Sequence, residues 1–146
     1  MPVSLNKSTR YALYASMELA RAAAGEAVPV SRVAGRYRIP EGPLAKVLQQ
    51  LVHAGLASGT RGVGGGYRLT REPSEITVLD IVAAFEPPRV PGSCLLDDDG
   101  DECHVLGTCR LRRLFDEVDE LARAAFASTS LETLVRAPDP AVSLWG

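Results

Sequence analysis

All three cysteines of this chain, Cys94, Cys103 and Cys109, lie in one short segment with the spacing C-x8-C-x5-C. Thiolates are soft ligands that favour iron–sulfur clusters, zinc and copper(I). Three thiolates leave one coordination position for a carboxylate, an imidazole, water or a small molecule. The odd number of cysteines also argues against a fully paired disulfide framework. The segment therefore predicts a metal or redox site with an unfinished set of protein ligands.

The fourth ligand of such a site is open. His104 is one candidate, although it directly follows Cys103 and its side chain should point away from that cysteine. A solvated loop histidine is the plainer interpretation of the same residue. The other candidates are an acid from residues 97–102, a residue near the N-terminus of a partner subunit, and an exogenous or absent ligand. Because the neighbouring acids repel one another without a metal, we expect metal binding to be coupled to local folding.

Length and composition limit the class of protein. The chain has 146 residues, enough for one core with appendages. Hydrophobic residues make up 46% and charged residues 23%, as in ordinary folded soluble proteins. No apolar run approaches the roughly 20 residues that cross a bilayer, and the apolar stretch 11–24 is interrupted by Glu18 and Arg21. We expect a cytoplasmic protein with no membrane partner and with reduced thiols.

Charge is distributed unevenly along the chain. Residues 1–71 carry ten Lys/Arg against three Glu, a net charge of +7. Residues 72–146 carry six Lys/Arg against fifteen acids, a net charge of −9. A basic half is the electrostatic footprint expected of a protein that binds the phosphate backbone of DNA. The alternative is a chance distribution of solvated charges.

Helical periodicity predicts two helices in the first forty residues. The first runs from about Lys7 to Ala24, ends at Gly25 and is apolar on most faces. Pro29 and Ser31 open a short second helix, with Ser31 as its N-cap. We expect this helix to direct Val33 and Ala34 inward and Arg32, Arg36 and Arg38 outward.

A third helix should have Pro43 in its first turn and stop at Gly55. Its apolar stripe has the spacing i, i+3, i+4, i+7 and consists of Leu44, Val47, Leu48 and Leu51. The opposite face carries Ala45, Lys46, Gln49, Gln50 and His53. Two short helices joined by a tight turn describe a helix-turn-helix, whose second helix fits the major groove. The alternative is a helical hairpin with a solvated face.

A β-hairpin should follow this helix pair. Residues 56–60 and 66–70 are strand candidates around the glycine-rich turn Arg61-Gly62-Val63-Gly64-Gly65. Glycines permit positive φ and close backbone approach, and Arg61 at the tip can enter a groove. The hairpin is thus a wing, and the whole forms a winged helix-turn-helix.

The run RGVGGGYRLTREPSEITVLDIVAAFE (61–86), three loop cysteines and CRLRRLFDEVDELARAAF (109–126) resemble the IscR/NsrR family of bacterial regulators. The resemblance covers roughly residues 5–136. It implies a dimeric winged-helix repressor or activator whose iron–sulfur cluster, 2Fe-2S or 4Fe-4S, controls affinity for an operator. It also implies that DNA is contacted by Gly42, Pro43, Ala45, Lys46 and Arg61. The polar face of the third helix adds Gln49 to these predicted contacts.

Two positions differ from branches of this family. The iron–sulfur-assembly branch places a histidine three residues after the last cysteine, where this chain has Arg112. One nitric-oxide-sensing branch uses an N-terminal aspartate of the partner subunit, and the matching residue here is Arg10. The end of the cysteine segment, CHVLGTCRLRR, is similar to the nitric-oxide- and redox-sensing branch. A zinc-bound or metal-free regulator that uses thiol oxidation is the alternative function.

Helix 110–126 carries a continuous apolar seam. A seam can pack on its own core, but a small head has limited surface to cover it, so pairing with a second copy and a palindromic double-stranded operator are expected. The seam residues are Leu111, Leu114, Phe115, Val118, Leu121, Ala122 and Ala125. Ser130 or Thr129 should cap a last helix, 131–136.

The predicted fold is mostly α with a small β wing. No nucleophile elbow, phosphate loop or zinc-protease helix is present, so we expect no enzyme. The predicted parts are a winged helix-turn-helix DNA-binding domain, a cysteine-bearing cluster loop, a dimerisation helix with a short C-terminal helix, and a tail. Their bounds are 1–86, 87–109, 110–136 and 137–146.

Overall fold

The computed structural model describes residues 5–87 and 109–136 of the chain. In these two stretches the chain forms helices, one β-hairpin and a 3-10 turn at Pro73–Glu75. The elements are α1 (Lys7–Arg21), α2 (Val30–Tyr37), α3 (Glu41–His53), β1 (Ala57–Thr60), β2 (Gly66–Leu69), α4 (Val78–Phe85), α5 (Arg110–Ser128) and α6 (Leu131–Arg136). None of these helices is long and apolar enough to span a membrane.

Helix α1 begins where the sequence predicts and ends earlier. Its N-cap is Asn6, whose Oδ1 accepts the Thr9 N–H at 2.8 Å. The helix ends at Arg21 rather than at Ala24, so the predicted C-terminal end was wrong. The reason is a competing turn, in which the Glu26 N–H donates to the Ala23 carbonyl and the Glu26 carboxylate accepts the Ala23 N–H, both at 2.9 Å.

Helix α2 shows a second difference at its start. It begins at Val30, and its N-cap is Pro29, which makes no side-chain cap hydrogen bond. Ser31 lies inside the first turn, so its predicted role as N-cap was wrong. The cause lies in the wing, because Val28 and Tyr67 exchange two backbone hydrogen bonds of 2.8 Å and fix the chain immediately before the helix.

The apolar stripe of α3 is confirmed as core, since Leu44, Val47, Leu48 and Leu51 are all buried. The backbone turns after the helix at Gly55, whose φ is +77°. Together with the α2–α3 turn, this helix forms the predicted helix-turn-helix.

Strands β1 and β2 pair antiparallel, with Thr60 opposite Gly66 at the wing end. Each strand is one residue shorter than predicted. Gly66 has φ +156°, and a Cβ at this position would lie 2.3 Å from the Val28 carbonyl oxygen. The close approach of the wing to the Val28–Pro29 backbone ahead of α2 therefore requires glycine here.

The C-terminal end of the described chain packs against the winged helix-turn-helix, which consists of α1–α4 and the wing and which we call the head. Val78 donates its N–H to the Thr129 carbonyl and Leu131 donates to the Ile76 carbonyl, both at 2.9 Å. Leu131 and Ile76 are fully buried in the core with the apolar faces of α1 and α3. Ser130 caps α6 as predicted, because its Oγ accepts the Thr133 N–H at 3.1 Å. Helix α6 is thus part of the hydrophobic core of the head.

Candidate nucleic-acid interface and cysteine segment

The predicted DNA-contacting residues of α3 lie on the helix face opposite the buried stripe. Gly42, Pro43, Lys46 and Gln49 are exposed, and Ala45 is half-buried. Gly42, Ala45, Lys46 and Gln49 follow the spacing i, i+3, i+4, i+7, and Pro43 lies beside them, so the five residues form one surface that begins in the first turn of the helix. This surface presents one cation and one amide, the donor types that read base edges in the major groove.

The rest of the polar face of α3 has a different role. The Nε2 of Gln50 donates to the Ala84 carbonyl at 2.9 Å. Gln50 thus holds α3 against the C-terminal end of α4, and its amide is committed within the head. Sequence reasoning placed Gln49 and Gln50 on the same polar face, and only the contact with α4 separates them.

The wing tip is a tight glycine turn that exposes Arg61. Gly62 and Gly64 have φ of +94° and +76°, and the Gly65 N–H donates to the Gly62 carbonyl at 2.9 Å. Arg61 is exposed and forms no ion pair with any residue of the described stretches 5–87 and 109–136. The guanidinium is therefore available to a ligand outside the subunit.

A buried carboxylate neutralises part of the basic half. The Glu18 side chain is only 2% exposed, and its oxygens lie 3.3 Å from Arg32 Nε, 3.3 Å from Arg36 Nε and 3.7 Å from Arg21 Nη1. The Tyr37 hydroxyl donates to the same carboxylate at 3.4 Å. We call this group the Glu18 cluster. It joins α1 to α2, and sequence reasoning missed it because Glu18 was noted only as an interruption of an apolar stretch.

Arg32 also pairs with Glu26 at 2.8 Å on the surface. The pKa of Glu26 is lowered, first by the hydrogen bond from the Ala23 N–H and then by Arg32. The same ion pair raises the pKa of Arg32. A lowered carboxyl pKa contributes stability at neutral pH that is lost as the pH falls through it.

Three of the ten cations in residues 1–71 are thus bound to Glu18 or Glu26 within the subunit. The charge asymmetry of the sequence overstated the cationic surface that is available to DNA. The other seven form no ion pair with the residues that the structure describes. They are Lys7, Arg10, Arg38, Lys46, Arg61, Arg68 and Arg71.

Of the three predicted thiolate ligands, only Cys109 falls within the described residues, and Cys94, Cys103 and the candidate His104 lie outside them. Cys109 is a half-buried free thiol and the N-cap residue of α5, which has no side-chain cap hydrogen bond. In residues 5–87 and 109–136 no cluster of three or more metal-ligating side chains is found. Within these residues the predicted site is therefore represented by one thiol, at the start of a helix.

Helix α5 leaves part of its apolar seam exposed to solvent in the isolated subunit. None of its residues is buried, and Leu111, Leu114 and Leu121 are 62%, 51% and 72% exposed. Beside its C-terminal half lies an apolar cleft of about 480 Å³, which α1, α4 and α6 complete. Cleft residues include Leu13, Met17, Val78, Phe126 and Leu134.

Comparison with known proteins agrees with this architecture. Residues 5–137 match the Rrf2 family, described as an iron-dependent transcriptional regulator. A putative helix-turn-helix transcriptional regulator of Rhodopseudomonas palustris, BadM, is 37% identical over 139 residues, which are 95% of this chain and 85% of BadM.

Two solved structures have similar folds. CymR of B. subtilis, described as the global cysteine regulator, has a TM-score of 0.76 and 26% identity over 94% of this chain and 99% of CymR. IscR of T. potens has a TM-score of 0.74 and 23% identity over 99% of this chain and 94% of IscR. The likeness to IscR shows the fold.

The predicted winged-helix fold and the prediction of no enzyme are both confirmed. With its basic helix-turn-helix, its wing and the match over residues 5–137, the chain belongs to the Rrf2 family of DNA-binding transcriptional regulators, which includes the IscR/NsrR type.

Proposed function

We propose that this protein is a homodimeric regulator whose affinity for a palindromic operator is controlled by an iron–sulfur cluster bound to Cys94, Cys103 and Cys109. The signal would be redox state, nitric oxide or iron–sulfur status. The observation that carries the proposal is the position of Cys109. This thiol is the N-cap of α5, the helix whose apolar seam is left partly uncovered by its own subunit.

Operator recognition falls to α3 and the wing. Lys46 and Gln49 can donate to base edges, and the exposed Gly42 and Pro43 allow the start of α3 to approach the groove closely. Arg61 at the wing tip contributes a charge to phosphate or to the minor groove.

Dimerisation is supported by the exposed seam of α5. A 19-residue helix with no buried residue is not stabilised enough by packing on its own subunit. A second copy related by a two-fold axis would cover Leu111, Leu114 and Leu121, and it would bring two recognition helices to two half-sites.

The donor chemistry of this segment fits a cluster. Cys109 is the N-cap residue of α5, the first N–H groups of this helix have no side-chain cap, and the helix dipole would favour a negatively charged sulfur ligand at this end. When bound, an iron–sulfur cluster supplies an iron centre that is redox-active and open at an exchangeable fourth position. Cys109 then fixes the first turn of α5, and through it the seam that sets the spacing of the two heads.

The fourth ligand stays a separate question. Arg112, one turn after Cys109, and Arg10, at the start of α1, occupy positions where two branches of the family carry a ligand, and neither guanidinium can bind iron. His104, an acid of residues 97–102, another residue near the N-terminus of the partner subunit, and an exogenous or absent ligand remain the candidates.

The test is spectroscopy of anaerobically purified full-length protein with iron and sulfide counts. We expect visible absorption and iron in the wild type, and loss or destabilisation of both in Cys94→Ser, Cys103→Ser and Cys109→Ser. His104→Ala is the neighbouring control and should have a smaller effect, whereas complete loss of the chromophore would make His104 the fourth ligand. Equal operator affinity of the cluster-loaded and apo forms, measured anaerobically, would show that the cluster is not the switch.

A zinc-bound or metal-free thiol switch is the second candidate. It is supported by the similarity in fold and sequence to a regulator named for cysteine and by the free thiol of Cys109, which is not fully buried. Protein without iron or visible absorption, whose operator affinity changes reversibly on thiol oxidation, would favour this function over the first.

A further inference from the structure

A cavity of about 420 Å³ opens between the N-terminal half of α1 and the turn that joins α2 to α3. Its wall is unusual in composition, because it combines three cationic side chains with three phenol rings. None of the residues that line it is acidic. The wall is formed by Lys7, Arg10, Arg38, Tyr11, Tyr14 and Tyr37, together with the apolar side chain of Ile39.

The three cations have no anionic partner in the described parts of the chain. Neither Arg10 nor Arg38 forms an ion pair within residues 5–87 and 109–136, and the ammonium of Lys7 lies 5.7 Å from the centroid of the Tyr11 ring. The neighbouring Glu18 carboxylate pairs with Arg21, Arg32 and Arg36, and not with the cations of the cavity. Three like charges around one cavity raise the local potential, and an anion in the cavity would relieve their repulsion.

Arg38 adds an independent observation from the backbone. It is the C-cap of α2 and has φ 54° and ψ 44°, and it is the one non-glycine residue with positive φ in the described chain. L-residues disfavour this left-handed conformation, and helix-turn-helix turns often contain glycine. A long cationic side chain at a position better suited to glycine points to a use for that side chain.

The location of Arg38 indicates what that use is. It precedes Glu41, the first residue of α3, by three positions, so its Cα lies within about 11 Å of the start of the recognition helix. The major groove is about 12 Å wide. When α3 lies in the groove, a cation this close to its N-terminus is within side-chain reach of the flanking phosphates.

We propose that Lys7, Arg10 and Arg38 form a phosphate clamp that binds the DNA backbone beside the half-site read by α3. This inference rests on the proposed DNA-binding function and extends it to a surface outside the recognition helix and the wing. Contacts of this kind set the register of a protein on the duplex and its salt dependence, and they carry no sequence information.

The test uses the substitution Arg38→Asn in the full-length protein, with a random-sequence duplex of about 30 base pairs and an operator selected from a random library. Asparagine tolerates the left-handed conformation, so the melting temperature should stay equal or rise. Binding to both duplexes should weaken by about three- to tenfold, and the slope of log K against log salt concentration should fall by about 0.9 for each phosphate that the protein no longer neutralises. Lys7→Gln and Arg10→Gln should act in the same direction.

Arg123→Gln is the matched control, because Arg123 is an exposed cation on α5 outside the cavity, and it should leave the slope unchanged. If wild type binds the operator and Arg38→Asn binds both duplexes with unchanged affinity and slope, the clamp is wrong while the proposed function stands. A change in dimer dissociation without a change in DNA binding would also overturn it, because the cavity would then face a second copy. If the wild type itself binds no duplex, the proposed function fails.

Discussion

Replacing Glu18 by Gln should destabilise the head more than the same replacement at any exposed carboxylate, although the side chain keeps its size. The substitution removes one negative charge that is only 2% exposed and lies within 3.3–3.7 Å of three guanidinium groups. The arginines would then repel one another, and nothing in the Glu18 cluster would balance them.

The magnitude follows from burial. Breaking a fully buried ion pair costs about 3–5 kcal/mol. The side chains of Arg21, Arg32 and Arg36 are 32%, 40% and 51% exposed, so solvent screens part of that interaction. We therefore expect a loss of about 2–4 kcal/mol in the free energy of unfolding. For a domain of this size that corresponds to a decrease of about 6–12 °C in melting temperature.

The measurement is urea denaturation with calorimetry at the same protein concentration, since dimerisation would make the melting temperature depend on it. Glu26→Gln is the control, because it removes a surface ion pair with the same Arg32 and should destabilise the protein much less, since water already screens that pair. If Glu18→Gln destabilises the protein no more than Glu26→Gln, the three arginine side chains reorient into solvent at little cost, and the Glu18 cluster does not hold α1 against α2.

Three further variants test operator recognition, the seam of α5 and the structure of the wing. Arg61→Ala should weaken operator binding by about 1–3 kcal/mol with an unchanged melting temperature, and unchanged affinity at moderate salt would remove the wing from recognition. Leu114→Glu with Val118→Glu should dissociate or unfold the dimer, since two charges would enter an apolar contact; a dimer that persists in light scattering would mean that the seam packs within the subunit. Gly66→Ala should destabilise the wing because its Cβ would meet the Val28 carbonyl at 2.3 Å, and a melting temperature equal to that of wild type would contradict this reasoning.

The parts of the fold that depend on local pattern could be predicted from the sequence. The buried stripe of α3 and the glycine turn of the wing follow from residue spacing and backbone preference, and both occur as expected. The start of α2 could not be predicted, because it is fixed by hydrogen bonds between Val28 and Tyr67, thirty-nine positions further along. Pairings of this kind leave no local signal.

In the candidate interface, too, some features follow from local sequence pattern and others depend on tertiary packing. The exposure of Lys46 and Gln49 follows from helical periodicity. The use of Gln50 as a donor to the Ala84 carbonyl depends on the packing of α3 against α4, and the neutralisation of Arg32 and Arg36 depends on the packing of α1 against α2. Net charge counted along a sequence therefore overestimates the charge that a partner meets.

The backbone hydrogen bonds of Val78 and Leu131 attach the C-terminal end of α5 to the head. They anchor the chain to the head immediately after the helix, at Thr129 and beyond, whereas Cys109 lies at the opposite end. The 19 residues of the helix span about 28 Å at 1.5 Å per residue. A swing of about 5° around the anchored end displaces the Cys109 end by about 2.5 Å on that length. A displacement of Cys109 would thereby change the angle between the seam and the winged helix-turn-helix domain, and the length of this helix would set the ratio between the two.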